Sequence, residues 1–200
     1  SPFPTKRFSP MKRSMINRAL AEASAVFAQA GWVLPPQPRW DVSDCGSGDF
    51  DHCGIVLVNL AEDPKYCEKL IYMRHGQTIP LHTHRLKQED IICRRGMLNM
   101  ELWSGHPAAT RPGEEFSLKR NGVPFIARSG VPFDLAAGER VTLVPGVYHR
   151  FTPSAIATVI GEVSTANDDL HDNLFADVSV ARFPDIEEDE PAAIRLVSDR

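Results

Sequence analysis

The chain has 200 residues, 42% of them hydrophobic and 24% charged, with a formal net charge of -4. A chain of that size can bury a sizeable core without disulfide staples, and it reads as one domain with peripheral additions. The mild acidity, with Lys and Arg scattered rather than striped, argues against a nucleic-acid binder. No apolar run approaches the ~20 residues needed to cross a bilayer, so no membrane partner is expected.

The opening SPFPTKRFSPMKRSM is basic, but no apolar stretch follows it, so no signal peptide is expected and a cytoplasmic location is the default. Ser9 suits a helix N-cap and Pro10 the first helical position. Ile16, Leu20, Ala23, Phe27 and Ala30 then recur at three- and four-residue spacing, the apolar face of an amphipathic helix. Gly31 ends it and Pro35-Pro36 forbids continuation. This helix is expected to lie against the outside of a β-barrel. Residues 1–36 form the extension and helix, 37–184 the barrel and 185–200 an acidic tail, within a single domain.

After the loop-like DVSDCGSGDFDHCG come short β-type runs closed by turn residues: Ile55–Leu60, Lys69–Arg74, Asp90–Cys93, Leu98–Trp103, Phe133–Leu135, Arg140–Val144 and Thr158–Val163. Regular short strands with such punctuation predict an all-β sandwich or barrel. A helical turn is expected around Asp63–Glu68. The run Asp185–Glu190, DIEEDE, is expected to be a solvated surface segment. Cys45, Cys53, Cys67 and Cys93 form no CxxC pair, and in a chain with no export signal they are expected to be free thiols.

The central stretch, Gly76-QTIPL-His82-T-His84-RLKQ-Glu89-DIICRR-Gly96, carries the chemistry. Histidines at i and i+2 on a strand point to one face, so His82 and His84 can converge on one point. Glu89, five residues after His84, can reach the same point from the next strand. His149, following the Pro145-Gly146 turn, offers a fourth donor. Three imidazoles and a carboxylate suit a borderline divalent ion, with Mn2+, Fe2+, Co2+, Ni2+ and Zn2+ all compatible. An open site at a barrel mouth is catalytic rather than structural. His52, His75, His106 and His171 lack companions at recognisable spacing.

Gly76…His82-x-His84-x4-Glu89-x6-Gly96 resembles the first cupin motif, and Gly138-x6-Pro145-Gly146-x2-His149 the second, with one extra residue after the glycine and no Asn four positions beyond His149. The resemblance implies an all-β, double-stranded β-helix (jelly-roll) barrel carrying the N-terminal helix and peripheral helical turns. A narrower resemblance covers nearly the whole chain. His82-T-His84-RL-Lys87-Q-Glu89-Asp90 is similar to the HxHxxKxED segment of the D-lyxose isomerase family. Gly161-Glu162-VSTA-Asn167-Asp168-Asp169-LH-Asp172-Asn173-L-Phe175 is similar to that family's GEVSxxNDDxxDNxF segment.

That resemblance implies a metal-dependent aldose–ketose isomerase of a small monosaccharide, D-lyxose with D-xylulose and also D-mannose with D-fructose. It implies Mn2+ as the usual ion and a homodimer, the commonest closed assembly. Lys87, between two ligands, is placed to hydrogen-bond an oxyanion or move a proton. Glu162 becomes the general base, a desolvated carboxyl tuned toward neutral pH. Asp168, Asp169 and Asp172 become partners for sugar hydroxyls and Phe175 a pocket wall. Glu101, Tyr148 and Arg150 are further rim candidates. The competing readings are a cupin oxygenase with Fe2+ or Ni2+ in the same donor set and a non-catalytic sugar-binding cupin. The polar GEVSTANDDLHDN segment speaks against the first, and the lack of an output module against a sensor.

Overall fold

The computed structural model describes residues 9–166, 168, 170–180, 182–183 and 185–199. In chain order the elements are β1 (Met11–Lys12), α1 (Arg13–Gln29), β2 (Arg39–Ser43), β3 (Ile55–Glu62), β4 (Tyr66–Tyr72), β5 (His82–Thr83), β6 (Glu89–Arg95) and β7 (Met97–Trp103). They continue as β8 (Glu115–Arg120), β9 (Val123–Arg128), β10 (Phe133–Ala136), β11 (Arg140–Leu143), β12 (Tyr148–Pro153), β13 (Val159–Thr165), β14 (Leu174–Phe175) and β15 (Ile186–Glu187). An eight-stranded antiparallel sheet, ordered β2-β3-β4-β13-β6-β11-β8-β9, faces a five-stranded one ordered β10-β7-β12-β5-β14. The result is an all-β barrel with one helix on its outside.

The near-continuous apolar strands reflect burial on both faces. In β3, Leu57 points into the barrel with Ile71, Ile91, Met100, Phe151 and Ile160. Its neighbours Val56 and Val58 point the other way, into a second core with Ile16, Leu20, Ala23 and Phe27 of α1 and Trp40 of β2. The chain passes from one sheet to the other at Gly96, between β6 and β7, where φ is +84°. A Cβ there would lie 2.4 Å from Thr158 Oγ1, so a side chain is excluded on both counts.

Three local expectations are corrected. Residues 63–65 form the turn of the β3–β4 hairpin, where Asp63 accepts from the Lys65 backbone N–H, and no helical turn forms there. The hairpin of β8 and β9 occupies a stretch where no strand was expected. Its signal was the Asn121-Gly122 pair, both at positive φ, which closes a tight hairpin. Finally, Ser9 and Pro10 precede α1, whose N-cap is Lys12 with no side-chain cap bond.

That cap comes from the opposite end of the chain. Asp189 accepts the backbone N–H of Ser14 at 2.9 Å and its hydroxyl at 2.7 Å. Glu188 and Asp199 both pair with Arg13, at 2.6 and 2.8 Å, and Asn17 donates to Glu190. The DIEEDE run is therefore docked on the helix start, where negative charge meets the positive end of the helix dipole and four unpaired amides. β1 and β15 pair in parallel beside it. Replacing Arg13 by Ala removes a buried guanidinium shared by two carboxylates. By chemical denaturation it should cost about 2–3 kcal/mol, and limited proteolysis should then cut the released C-terminal segment before the barrel.

Candidate metal centre and active site

The barrel interior is divided along its length. One end is filled by Cys93, Leu98, Leu135, Val141 and Ile160. At the other end the inward positions of the same strands turn polar, because each strand keeps its two-residue period while the residue type changes. Along β6, Cys93 and Ile91 give way to Glu89. Along β13, Ile160 gives way to Glu162, and along β4, Ile71 gives way to Lys69. Along β12, Phe151 gives way to His149. Sheet register then brings these together: His149 lies opposite His82, Glu162 opposite Lys69, and Phe175 opposite His82.

His82, His84 and His149 each offer a ring nitrogen within 4.8 Å of the other two. Each ring spends its Nδ1 on a backbone carbonyl: Pro80 at 2.9 Å, Asp172 at 2.7 Å and Val147 at 3.2 Å respectively. A carbonyl only accepts, so each Nδ1 carries the proton and each Nε2 presents a lone pair. Glu89 Oε1 lies 2.9 Å from His149 Nε2 and 3.4 Å from His84 Nε2. Lone pairs facing each other at such distances call for a cation between them. His84 Nε2 and Glu89 Oε1 are indeed buried without a hydrogen-bond partner among the described residues. The donor set of three imidazoles and one carboxylate fits a divalent transition ion.

Behind this set stands a buried charge cluster. Lys87 Nζ lies 2.8 Å from Glu89 Oε2 and 2.9 Å from Glu162 Oε1, and Lys69 Nζ lies 3.4 Å from Glu162 Oε1. All four side chains are 10% exposed or less. Desolvation opposes the charge on Lys87, but Glu162 and Glu89 outweigh it and hold the ammonium well above the usual lysine range. Desolvation likewise pushes Glu162 up, and Lys69 and Lys87 outweigh it, so its pKa is lowered. The expectation of a carboxyl tuned toward neutrality is therefore corrected: Glu162 is a firm carboxylate between two ammonium groups. It stands mid-strand, in β13.

The cavity above the cluster holds about 550 Å3 of empty space, part of it open to solvent. Its walls include His82, His84, His149, Lys69, Lys87, Glu89 and Glu162, with Asn173, Phe175 and Arg182 at the sides and Ile55, Leu57 and Ile79 below. Phe175 packs on the His82 ring at 5.8 Å. Lys69, Asn173 and Arg182 were not singled out from the sequence. Lys69 directly follows Glu68 in β4 and carries no distinguishing signal in the sequence.

Other expected site residues lie elsewhere. Asp168 is exposed and closes its own turn, accepting from the Leu170 and His171 backbone and the His171 ring. Asp172 is buried, and its carboxylate turns to the backbone of residues 85–87 rather than to the cavity. Asp169 lies outside the described residues. Glu101 and Arg150 pair with each other at 2.6 Å, away from the cavity wall.

Barrels of this shape, with three histidines and a glutamate gathered inside one end, are cupin-type barrels with a metal-site donor set. A sequence model of the D-lyxose isomerase family matches residues 37–200. The chain belongs to the D-lyxose isomerase family, and it is an enzyme of the sugar-isomerase class. It is 31% identical over 223 residues to the D-lyxose/D-mannose isomerase of Escherichia coli O157:H7, covering 94% of this chain and 98% of that protein. It is 34% identical over 218 residues to the D-lyxose/D-mannose isomerase of Serratia proteamaculans, covering 90% and 94%. Among solved structures, the L-ribose isomerase of Acinetobacter sp. DL28 in complex with L-ribose aligns with a TM-score of 0.64 at 15% identity. That alignment covers 91% of this chain and 100% of the other, and it shows the shared fold.

The crowding of the three rings has a consequence for the metal-free protein. Burial, then the nearby His149 and His84, hold the pKa of His82 well below its ordinary 6.5. The folded state thus resists a proton that the unfolded chain accepts below that value. The stability associated with neutral His82 is present above pH 6.5 and is lost as pH falls from there toward the lowered folded value. Thermal unfolding of chelator-treated protein should show the melting temperature falling between pH 7.5 and 5, with a shallower fall in His82→Asn.

Proposed function

We propose that the protein interconverts D-lyxose with D-xylulose, and D-mannose with D-fructose, using a divalent ion held by His82, His84, Glu89 and His149. Mn2+ is the first choice of ion. One observation carries the reading: the Lys87 ammonium bridges the carboxylates of Glu89 and Glu162 at the cavity wall. On this reading Glu162 is the proton acceptor, Lys87 the hydrogen-bond donor and Glu89 a ligand, around one small polar space.

When bound, the ion supplies Lewis-acid polarisation of the sugar's carbonyl and its neighbouring hydroxyl. The chain's own residues then have defined tasks. Glu162 takes the proton from C2 of the open-chain aldose and returns it to C1 through an enediol, while the O2 hydroxyl proton passes to O1, giving the ketose. Because two ammonium groups lower its pKa, Glu162 is a weak base and gives the proton back readily. The acidity of the C–H must therefore come from the polarised carbonyl. Lys87, held protonated, donates a hydrogen bond to oxygen while charge builds there. The two ammonium groups balance the two carboxylates of the cluster, so its fixed charges do not oppose an anionic enediolate. Phe175 and the aliphatic residues exclude water around the reacting carbons.

A panel of pentoses and hexoses offered to Mn2+-loaded protein should yield D-xylulose from D-lyxose and D-fructose from D-mannose. Conversion of neither aldose would end this reading. Glu162→Gln should lower kcat by about 10²–10⁴-fold with metal content unchanged. Loss of metal in that variant would make Glu162 a ligand instead of a base.

A further inference from the structure

The segment after β13 closes over the metal-site strand as a strap. Leu174 and Phe175 pair with Thr83 and His82, and the Ala176 N–H donates to the Leu81 carbonyl at 2.8 Å. At the head of this strap, Asp172 makes two separate kinds of contact, some 85 residues away in sequence. Its backbone carbonyl accepts the His84 Nδ1 proton at 2.7 Å. Its carboxylate accepts three consecutive backbone amides: Arg85 at 2.8 Å and Leu86 at 3.2 Å on Oδ1, with Lys87 at 3.0 Å on Oδ2. The residue is 5% exposed and is not part of the cavity wall.

These contacts engage the whole link between two donor residues. His84 lies at one end of the link and Glu89 at the other, with Lys87 between them. No regular secondary structure spans residues 84–88, so the amides of 85, 86 and 87 have no strand partner of their own. The carboxylate supplies that partner, and in doing so sets where the Lys87 side chain leaves the backbone. The carbonyl of the same residue fixes the tautomer and the tilt of the His84 ring. Both oxygens of the carboxylate accept from amides, and the residue is buried outside the cavity wall, so it is turned away from the space a sugar would fill.

We propose that Asp172 is the positioning residue of the site, orienting His84 toward the ion and Lys87 between Glu89 and Glu162 without touching substrate. The proposal rests on the metal-dependent isomerase reading and deepens it. It replaces the expectation that Asp172 binds the sugar.

The test compares wild type with Asp172→Ala and Asp172→Asn. The readouts are Mn2+ affinity by calorimetry, the visible spectrum of the Co2+-loaded protein, and kcat and KM for D-lyxose. Asp172→Ala keeps the backbone carbonyl on His84 but frees the amides of residues 85–87, so the link from His84 to Glu89 loses its anchor to the strap; Mn2+ binding should weaken by about 10–100-fold and the Co2+ bands should shift. The loss in turnover should appear in kcat, with KM held within about two-fold. Asp172→Asn, which keeps one accepting oxygen, should fall between. If Asp172→Ala does not fold, the Asn variant is read alone. Unchanged Mn2+ affinity and an unchanged Co2+ spectrum would overturn the proposal, whether KM rises or not. Weakened metal binding in a protein whose wild type converts no sugar would sink the isomerase reading and leave the positioning role intact.

Discussion

The structure is organised around a buried charge cluster that no single strand can satisfy. Glu89 and Glu162 are carboxylates inside a barrel, and each would be costly there alone. Lys87 contacts both, and Lys69 contacts Glu162 from the neighbouring strand. The cluster closes only if β4, β13 and β6 lie side by side in their observed register. A one-residue slip of β4 or β13 would turn a charged side chain toward the second core under α1. The same residues that form the candidate site thus constrain the pairing of the central strands.

The histidines add a second constraint of a different kind. Their Nδ1 protons are bound by carbonyls from three separate parts of the chain, at Pro80, Val147 and Asp172. The rings are therefore oriented before any ion arrives, and what remains facing inward is a set of lone pairs. Burial, followed by the neighbouring His149 and His84, disfavours a proton on His82, so its Nε2 lone pair stays available to a cation.

Much of this was legible in the sequence because it rests on short-range periodicity. His82 and His84 share a face by the two-residue period of a strand, and Lys87 and Glu89 sit near them in the chain. Six of the seven expected strands, all but the one at 69, begin within about one residue of the observed ones. What escaped rests on long-range pairing. Lys69 reads as an ordinary lysine until β4 is laid beside β13. Asp172 reads as a sugar ligand in an acidic, polar segment until the loop at residues 85–87 is seen to use its carboxylate. The DIEEDE run is a largely exposed surface segment, as expected, but its pairing with Arg13 and Ser14, some 175 residues earlier, is invisible in the sequence. The Glu162 pKa was misjudged for the same reason: desolvation is visible in a sequence, whereas a cross-strand ammonium is not.

The central claim is that the three imidazoles and Glu89 are the ion's protein ligands, with Glu162 held off as a free carboxylate by Lys69 and Lys87. X-ray absorption at the manganese edge, on wild type and Glu162→Gln loaded with Mn2+, tests it most directly. The account predicts imidazole scattering from three histidines and a first shell of nitrogen and oxygen that is the same in both proteins. A spectrum without histidine scattering, or one in which the first shell changes when Glu162 is replaced, would contradict it.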